Sequence, residues 1–314
     1  MDEGAAGVIG AGFWGKKHIE EYIKLGLEVY AADVSKESLQ KCRELYPVKG
    51  IYADYKELLQ NKEIRYVSVC TPNSTHFQVA SDSARAGKNT LVEKPFVLKS
   101  EEGQGLIRLA NERKLHLSVG HIFRFNNAVN FIRNSFIKGD IGTPYLLKLN
   151  WSNLEPIYAD RDVIFDLAPH PFDIVNYIFN ALPDEISCVG GSYRQQKHAE
   201  AAFIICRLNS TLVNIEVSWL TPRKQREVVF VGSRKTIFAD CARQKVSVYD
   251  NEQNSYYDVD IIPNNTLQDE LREFIRCSES RGFSVADAEV GLKIVRLLEI
   301  SEESMKKKKM IHYS

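Results

Sequence analysis

Ala5-Ala6-Gly7-Val8-Ile9-Gly10-Ala11-Gly12-Phe13-Trp14-Gly15 is the stretch whose reading decides the fold. A short apolar run enters three glycines spaced G-x-G-x-x-G, and a helical pattern follows through Leu25. In a strand, turn and helix context each glycine has a physical reason. Gly10 permits the tight turn, Gly12 lets backbone amides approach a pyrophosphate, and Gly15 lets helix and strand pack closely. The helix N-terminus adds its partial positive charge.

Working outward, a second strand over Leu27 to Ala32 ends at Asp33, eighteen residues beyond Gly15. A carboxylate there accepts hydrogen bonds from the adenosine ribose and repels a 2′-phosphate, so NAD is favoured over NADP. A strand-end turn aspartate is the competing reading, and Lys36 leaves some tolerance for NADP. A helix over Ser35 to Leu45, a short segment Gly50 to Tyr52 and a helix from Asp54 lead to the strand Tyr66 to Cys70. Its carboxyl end runs into Thr71-Pro72-Asn73-Ser74-Thr75-His76, and ligands of open parallel sheets lie beyond the strand carboxyl ends. The helix from His76 breaks at Gly87, and the strand Asn89 to Val92 delivers Glu93-Lys94-Pro95. Proline there biases Lys94 towards an extended backbone and so aims its ammonium. A surface ion pair of Lys94 with Glu93 is equally compatible with position alone. A helix over Ser100 to Glu112 and a strand over Leu115 to Val119 complete this domain, with a hinge at Gly120.

Beyond the hinge, a one-faced helix ending near Gly139 and an alternating strand over Tyr145 to Trp151 precede Asp166-Leu167-Ala168-Pro169-His170. On one helix, extended here over Phe165 to Phe179, that i, i+4 spacing lets a carboxylate orient an imidazole for proton transfer. The period then changes. Ile186 to Tyr193, Ala201 to Leu208, Thr211 to Trp219, Glu227 to Gly232, Lys235 to Asp240 and Lys245 to Tyr249 read as strands with short polar turns, hence a largely antiparallel sheet. One face would bury on helices and the other on a second copy of the chain, as a dimer or tetramer. Trp219, Phe230 and Phe238 read as core or interface. Two amphipathic helices close the chain, Leu267 to Cys277 and Asp287 to Ser304, with a loop at Arg281-Gly282-Phe283. The run Lys306 to Lys309 reads as a solvated helix end.

The 314 residues suggest two domains, placed at 1–120 and 121–314, with the last helices able to pack back on the first. Lysine plus arginine equal aspartate plus glutamate at 41 each, which removes a broad electrostatic case for nucleic acid or an anionic membrane. Six scattered cysteines without a C-x-x-C pair, and no apolar run of about 20 residues, point to a reduced cytoplasmic protein without a zinc site, membrane span or secretory signal.

The ordered set Gly10-x-Gly12-x-x-Gly15, Thr71-Pro72-Asn73 with His76, Glu93-Lys94-Pro95 and Asp166-x-x-x-His170 resembles the glucose-fructose oxidoreductase, inositol dehydrogenase and MocA family. Gly120 to Asn126, Phe165 to Asp173 and Val217 to Trp219 are most similar to its UDP-N-acetylglucosamine 3-dehydrogenase branch. The resemblance implies a Rossmann domain with a doubly wound parallel sheet, followed by an α+β domain whose open, largely antiparallel sheet makes the oligomer contact. It implies an NAD-dependent oxidation of a sugar or sugar-nucleotide alcohol, with Lys94, Asp166 and His170 catalytic. Gly10, Gly12, Phe13, Trp14, Gly15, Asp33, Thr71, Pro72, Asn73, His76, Glu93 and Lys94 would face the cofactor. Lys94, Arg124, Asn126 and His170 would face the substrate, the arginine fork suiting a diphosphate or carboxylate. An inter-domain salt bridge is the competing role for Arg124. Where the branch often has Arg-Phe-Asn-Pro, Asn127 replaces the proline. An inositol or free-sugar dehydrogenase, and a non-catalytic cofactor-binding sensor, are the alternative functions.

Overall fold

The computed structural model describes residues 4–158, 161–280, 282 and 284–313. Arg281 and Phe283 of the expected loop lie outside the described residues. Two compact units divide the chain: Met1–Ile122 with Thr266–Val295, and Phe123–Asn265 with Arg296–Ser314.

The first unit alternates strands and helices: β1 (Ala5–Ile9), α1 (Phe13–Lys24), β2 (Val29–Ala32), α2 (Lys36–Leu45), β3 (Gly50–Tyr52), α3 (Tyr55–Gln60), β4 (Ile64–Val69), α4 (His76–Arg85), β5 (Asn89–Val92), α5 (Ser100–Glu112) and β6 (Leu117–Val119). The helices start where short polar side chains can cap them. Ser35 accepts from the Ser38 amide at the start of α2, and Asp54 from the Lys56 amide at the start of α3. All six strands are parallel in the order β3-β2-β1-β4-β5-β6. That order reverses between β1 and β4, the topological switch point where doubly wound sheets take their ligands.

The second unit opens with α6 (Asn127–Ile137), β7 (Pro144–Ser152), α7 (Val163–Leu167) and α8 (Pro169–Phe179). It continues with β8 (Glu185–Gly191), β9 (Ala201–Leu208), β10 (Thr211–Ser218), β11 (Gln225–Gly232), β12 (Lys235–Asp240), β13 (Lys245–Asp250) and β14 (Ser255–Val259). The chain closes with α9 (Thr266–Ser280), α10 (Ala288–Lys307) and β15 (Ile311–His312). The nine-stranded sheet runs β14-β13-β12-β11-β7-β10-β9-β8-β15, antiparallel except for the parallel pair β7 and β10. Its inner face packs Leu147, Leu149, Ile215, Val228 and Phe230 beneath helices, where Phe136 and Phe179 contact Phe230.

The structure corrects three expectations. The helix expected over Phe165 to Phe179 is two helices meeting at Ala168, because Pro169 has no N–H to continue the ladder and instead begins α8. The edge strands β14 and β15 were not expected, being short and polar or only two residues long. The parallel pair is invisible to alternation, which is the same in both pairing senses.

In the first unit α9 packs Leu267, Leu271 and Phe274 on one face of the sheet with Ile19, Tyr22 and Tyr66. Ala288, Leu292 and Val295 of α10 pack on the other face with Val92, Phe96 and Leu106. All six cysteines are free thiols. No helix among the described residues is long and apolar enough to cross a membrane.

Candidate active site

In the first unit the glycine turn sits at the carboxyl end of β1. Gly10 has φ +95°, and a Cβ there would fall 2.5 Å from the Cys70 carbonyl oxygen. A Cβ on Gly15 would fall 1.7 Å from the Gly10 carbonyl oxygen, so α1 closes directly onto the turn. Gly12 differs: a Cβ there would meet no atom within 4 Å, and as the N-cap of α1 it supplies no side-chain acceptor for the first-turn amides. Phe13 is exposed beside it, and Lys17 lies over the rings of Phe13 and Trp14. Asp33 accepts from the Ala11 amide at 2.7 Å and from the Ser35 amide at 2.7 Å. It therefore fixes the glycine turn as well as ending β2, and a carboxylate retains further lone pairs for a ribose.

The loop after β4 is held from behind. His76 is buried, with Nδ1 2.8 Å from the Pro95 carbonyl and Nε2 3.0 Å from the Thr71 carbonyl, so one ring joins the Thr71-Pro72-Asn73 loop to the Glu93-Lys94-Pro95 loop. Burial lowers its pKa, opposed by those two carbonyls. The Asn73 side-chain Nδ2 is buried without a partner among the described residues.

Glu93 is buried rather than on the surface. Its Oε1 lies 3.0 Å from His18 Nε2, and its Oε2 accepts from the Lys94 amide at 3.1 Å. His18 Nδ1 is 3.1 Å from Ser68 Oγ, which is 2.9 Å from the Tyr22 hydroxyl. Burial alone would raise the Glu93 carboxyl, but the His18 contact and the Lys94 charge hold it below the usual carboxylate range. This buried relay, which positions the Lys94 backbone, is absent from the sequence reading. A polar His18 on the same helical face as Gly15, Ile19 and Tyr22 was the signal for it.

In the second unit Asp162 caps α7 by accepting from the Phe165 amide at 2.9 Å. Asp166 Oδ2 accepts from the Trp219 indole Nε1 at 3.0 Å, so Trp219 is core and also a partner of the Asp166–His170 stretch. The His170 ring packs edge-to-face on Phe123, centroids 5.0 Å apart, and Phe123 packs in turn on Trp151 at 5.1 Å. Lys94 belongs to the first unit, and Arg124, Asn126, Asp166 and His170 to the second.

Two expected substrate contacts are engaged inside the second unit. Arg124 is buried, its Nε bonded to Asp173 Oδ1 at 2.6 Å and Nη2 to Asn176 Oδ1 at 2.7 Å. The ion pair that competed with a substrate role is thus formed, within the unit. Asn126 is the N-cap of α6, accepting from the Ala128 and Val129 amides while donating to the Cys241 carbonyl. Asn127, where a proline would have no N–H, places its amide 3.2 Å from Gln244 Oε1 and 3.3 Å from Asn264 Oδ1.

A family described as "Oxidoreductase family, NAD-binding Rossmann fold" matches residues 5–121, and the "GFO/IDH/MocA C-terminal domain" matches residues 131–238. The UDP-N-acetylglucosamine 3-dehydrogenase of Acidithiobacillus ferrooxidans is 30% identical over 250 residues, 77% of this chain and 76% of that protein. The chain belongs to the GFO/IDH/MocA oxidoreductase family. A solved structure of the A. ferrooxidans enzyme superposes with TM-score 0.86 at 26% identity over 97% of this chain and 98% of that one. The myo-inositol 2-dehydrogenase of Thermotoga maritima, 24% identical, matches 97% of both chains. As a GFO/IDH/MocA member this chain is an NAD-dependent oxidoreductase. Its glycine turn fits NAD on observations of its own: no atom within 4 Å of a Cβ on Gly12, first-turn amides of α1 without a side-chain cap, and a buried Asn73 amide with no partner among the described residues.

Proposed function

We propose that the chain oxidises C3 of a UDP-N-acetylhexosamine or its uronic acid. The observation that carries this reading is the similarity to the A. ferrooxidans UDP-N-acetylglucosamine 3-dehydrogenase along about three quarters of both chains. Gly10, Gly12, Phe13, Trp14, Gly15, Asp33, Thr71, Pro72 and Asn73 hold the cofactor, with His76 and Glu93 bracing from behind. Bound NAD supplies the acceptor for the hydride that leaves the carbinol carbon. His170 takes the hydroxyl proton, and Asp166 stabilises the charge the imidazole gains. Lys94 donates to the substrate oxygen and stabilises its developing negative charge. Arg124 and Asn126 shape the substrate region through Asp173, Asn176 and the start of α6.

Steady-state reduction of NAD by UDP-sugars tests the reading. Lys94→Ala and His170→Ala are each expected to lower kcat by at least a hundredfold while NAD still binds. Near wild-type turnover in either variant overturns the catalytic assignment. The full-length similarity to a myo-inositol 2-dehydrogenase supports a second reading, a free polyol as substrate. Uridine diphosphate separates the two, since it competes with a UDP-sugar and leaves polyol oxidation unaffected.

The outer face of the second unit's sheet exposes Val189, Phe203, Ile205 and Leu212, and this supports a homo-oligomer built on that face. The free thiols fit a reducing compartment such as the cytoplasm.

A further inference from the structure

Arg226 stands at the start of β11, in register with Trp151 of β7. Directly opposed residues of neighbouring strands share a face, so Arg226 and Trp151 face the same way, towards the helices. Trp151 packs on Phe123 and Phe123 on His170, which brings the guanidinium to the neighbourhood of the proposed base.

Its bonding is unusual for a partly buried arginine. Nη1 donates to the carbonyls of Ser152 and Gln225, at 3.0 and 2.6 Å, and Nη2 donates to Asn153 Oδ1 at 2.7 Å. Every one of these acceptors is neutral. The buried Arg124 has Asp173 and Arg194 has the buried Glu200, but among the described residues no carboxylate lies within ion-pair distance of Arg226. Nε–H and one of the two Nη2 hydrogens have no acceptor among the described residues, and guanidinium N–H groups pair with the oxygens of a carboxylate or phosphate. Asp166 and Glu155 act on this partly buried cation only from beyond ion-pair distance, which leaves its open N–H groups to an anion brought by a ligand. Burial pulls its pKa down to about 10, against the carboxylates of Asp166 and Glu155, so it remains a cation at neutral pH.

We infer that Arg226 receives the anionic group of the substrate, the diphosphate of a nucleotide sugar or the carboxylate of a uronic acid. Arg226 thereby joins Arg124, whose Nε and Nη2 are bonded to Asp173 and Asn176, as a guanidinium of the substrate region. This inference rests on the sugar-nucleotide reading above.

The test is Arg226→Met and Arg226→Lys, assayed with UDP-N-acetylglucosamine, its uronic acid, and neutral myo-inositol and N-acetylglucosamine, with NAD affinity measured separately by fluorescence. Arg226→Met is expected to raise KM for the anionic substrates at least tenfold, with NAD affinity unchanged. Arg226→Lys, which keeps the charge but not the planar set of N–H donors, is expected to recover only part of that loss. An equal penalty on both UDP-sugars assigns the diphosphate, and a penalty confined to the uronic acid assigns the carboxylate. An unchanged KM for both, or a fall in kcat alone, overturns the inference while leaving the substrate reading standing. A wild-type enzyme that oxidises only neutral polyols overturns both. Should Arg226→Met fail to fold, Arg226→Gln carries the same comparison.

Discussion

Gly12 and Gly15 look alike in the sequence motif, yet the structure gives them opposite reasons. A methyl on Gly15 collides with the Gly10 carbonyl, whereas one on Gly12 meets only open space. Gly12 also has an ordinary φ of −75°, so alanine suits its backbone. Gly15→Ala is therefore expected to destabilise the protein by more than about 2 kcal/mol in urea unfolding, because backbone must move. Gly12→Ala should leave the urea midpoint unchanged and weaken NAD at least tenfold, measured by fluorescence titration. Equal loss of stability in the two variants contradicts this division. At this scale the glycine turn and Asp33 were legible in the sequence, and Lys94, Asp166 and His170 stood out there as candidates, because backbone demands and strand-end positions have local signatures. It did not announce the His18–Glu93 contact or the lack of an ion partner at Arg226, which join residues 75 apart or are defined by what no neighbour supplies.

At the scale of elements, the Asp166–His170 stretch stands on two helices. Asp162, the cap of α7, is tied to a carboxyl of α10: burial first, and then the Glu302 carboxyl hydrogen-bonded to it, push Asp162 up to about 7. An acid whose folded pKa lies above its unfolded value holds a proton that the unfolded chain has released. The stability it contributes is full below the unfolded value, about 3.9, and is lost as pH rises through about 7. Asp162→Asn keeps an oxygen for the Phe165 amide and removes the titration. The difference in urea midpoint, wild type minus variant, is expected to decline from about pH 4 to about pH 7. A flat difference across that window rejects the shared-proton arrangement. Strand and helix positions were largely legible, since period and caps are local. The break at Ala168 was legible too, through Pro169, but the i, i+4 spacing of Asp166 and His170 was read over it.

For the whole molecule, the first unit is assembled from two stretches of chain, and α9 supplies Leu267, Leu271 and Phe274 to its core. Three buried apolar side chains of this kind contribute on the order of 6 kcal/mol, comparable with the net stability of a domain. A fragment of residues 1–120 is expected to aggregate or to bind ANS. The same fragment joined by a short linker to residues 266–295 is expected to be monomeric and to bind NAD, as gel filtration and titration would show. A soluble, NAD-binding 1–120 fragment rejects this. The sequence reading allowed the last helices to pack back on the first domain but could not say which would or where, because an amphipathic face states that it needs a partner without naming it.

The interleaving also sets an order of events on the ribosome. The glycine turn and five of the helices are synthesised early, yet the apolar surface around Ile19, Tyr22 and Tyr66 waits for α9, whose first residue follows the 143 residues from Phe123 to Asn265. At ordinary elongation rates that is a delay of roughly 7–30 s. Through that interval the apolar surface that α9 will cover stays open to aggregation and to chaperones that bind such surface.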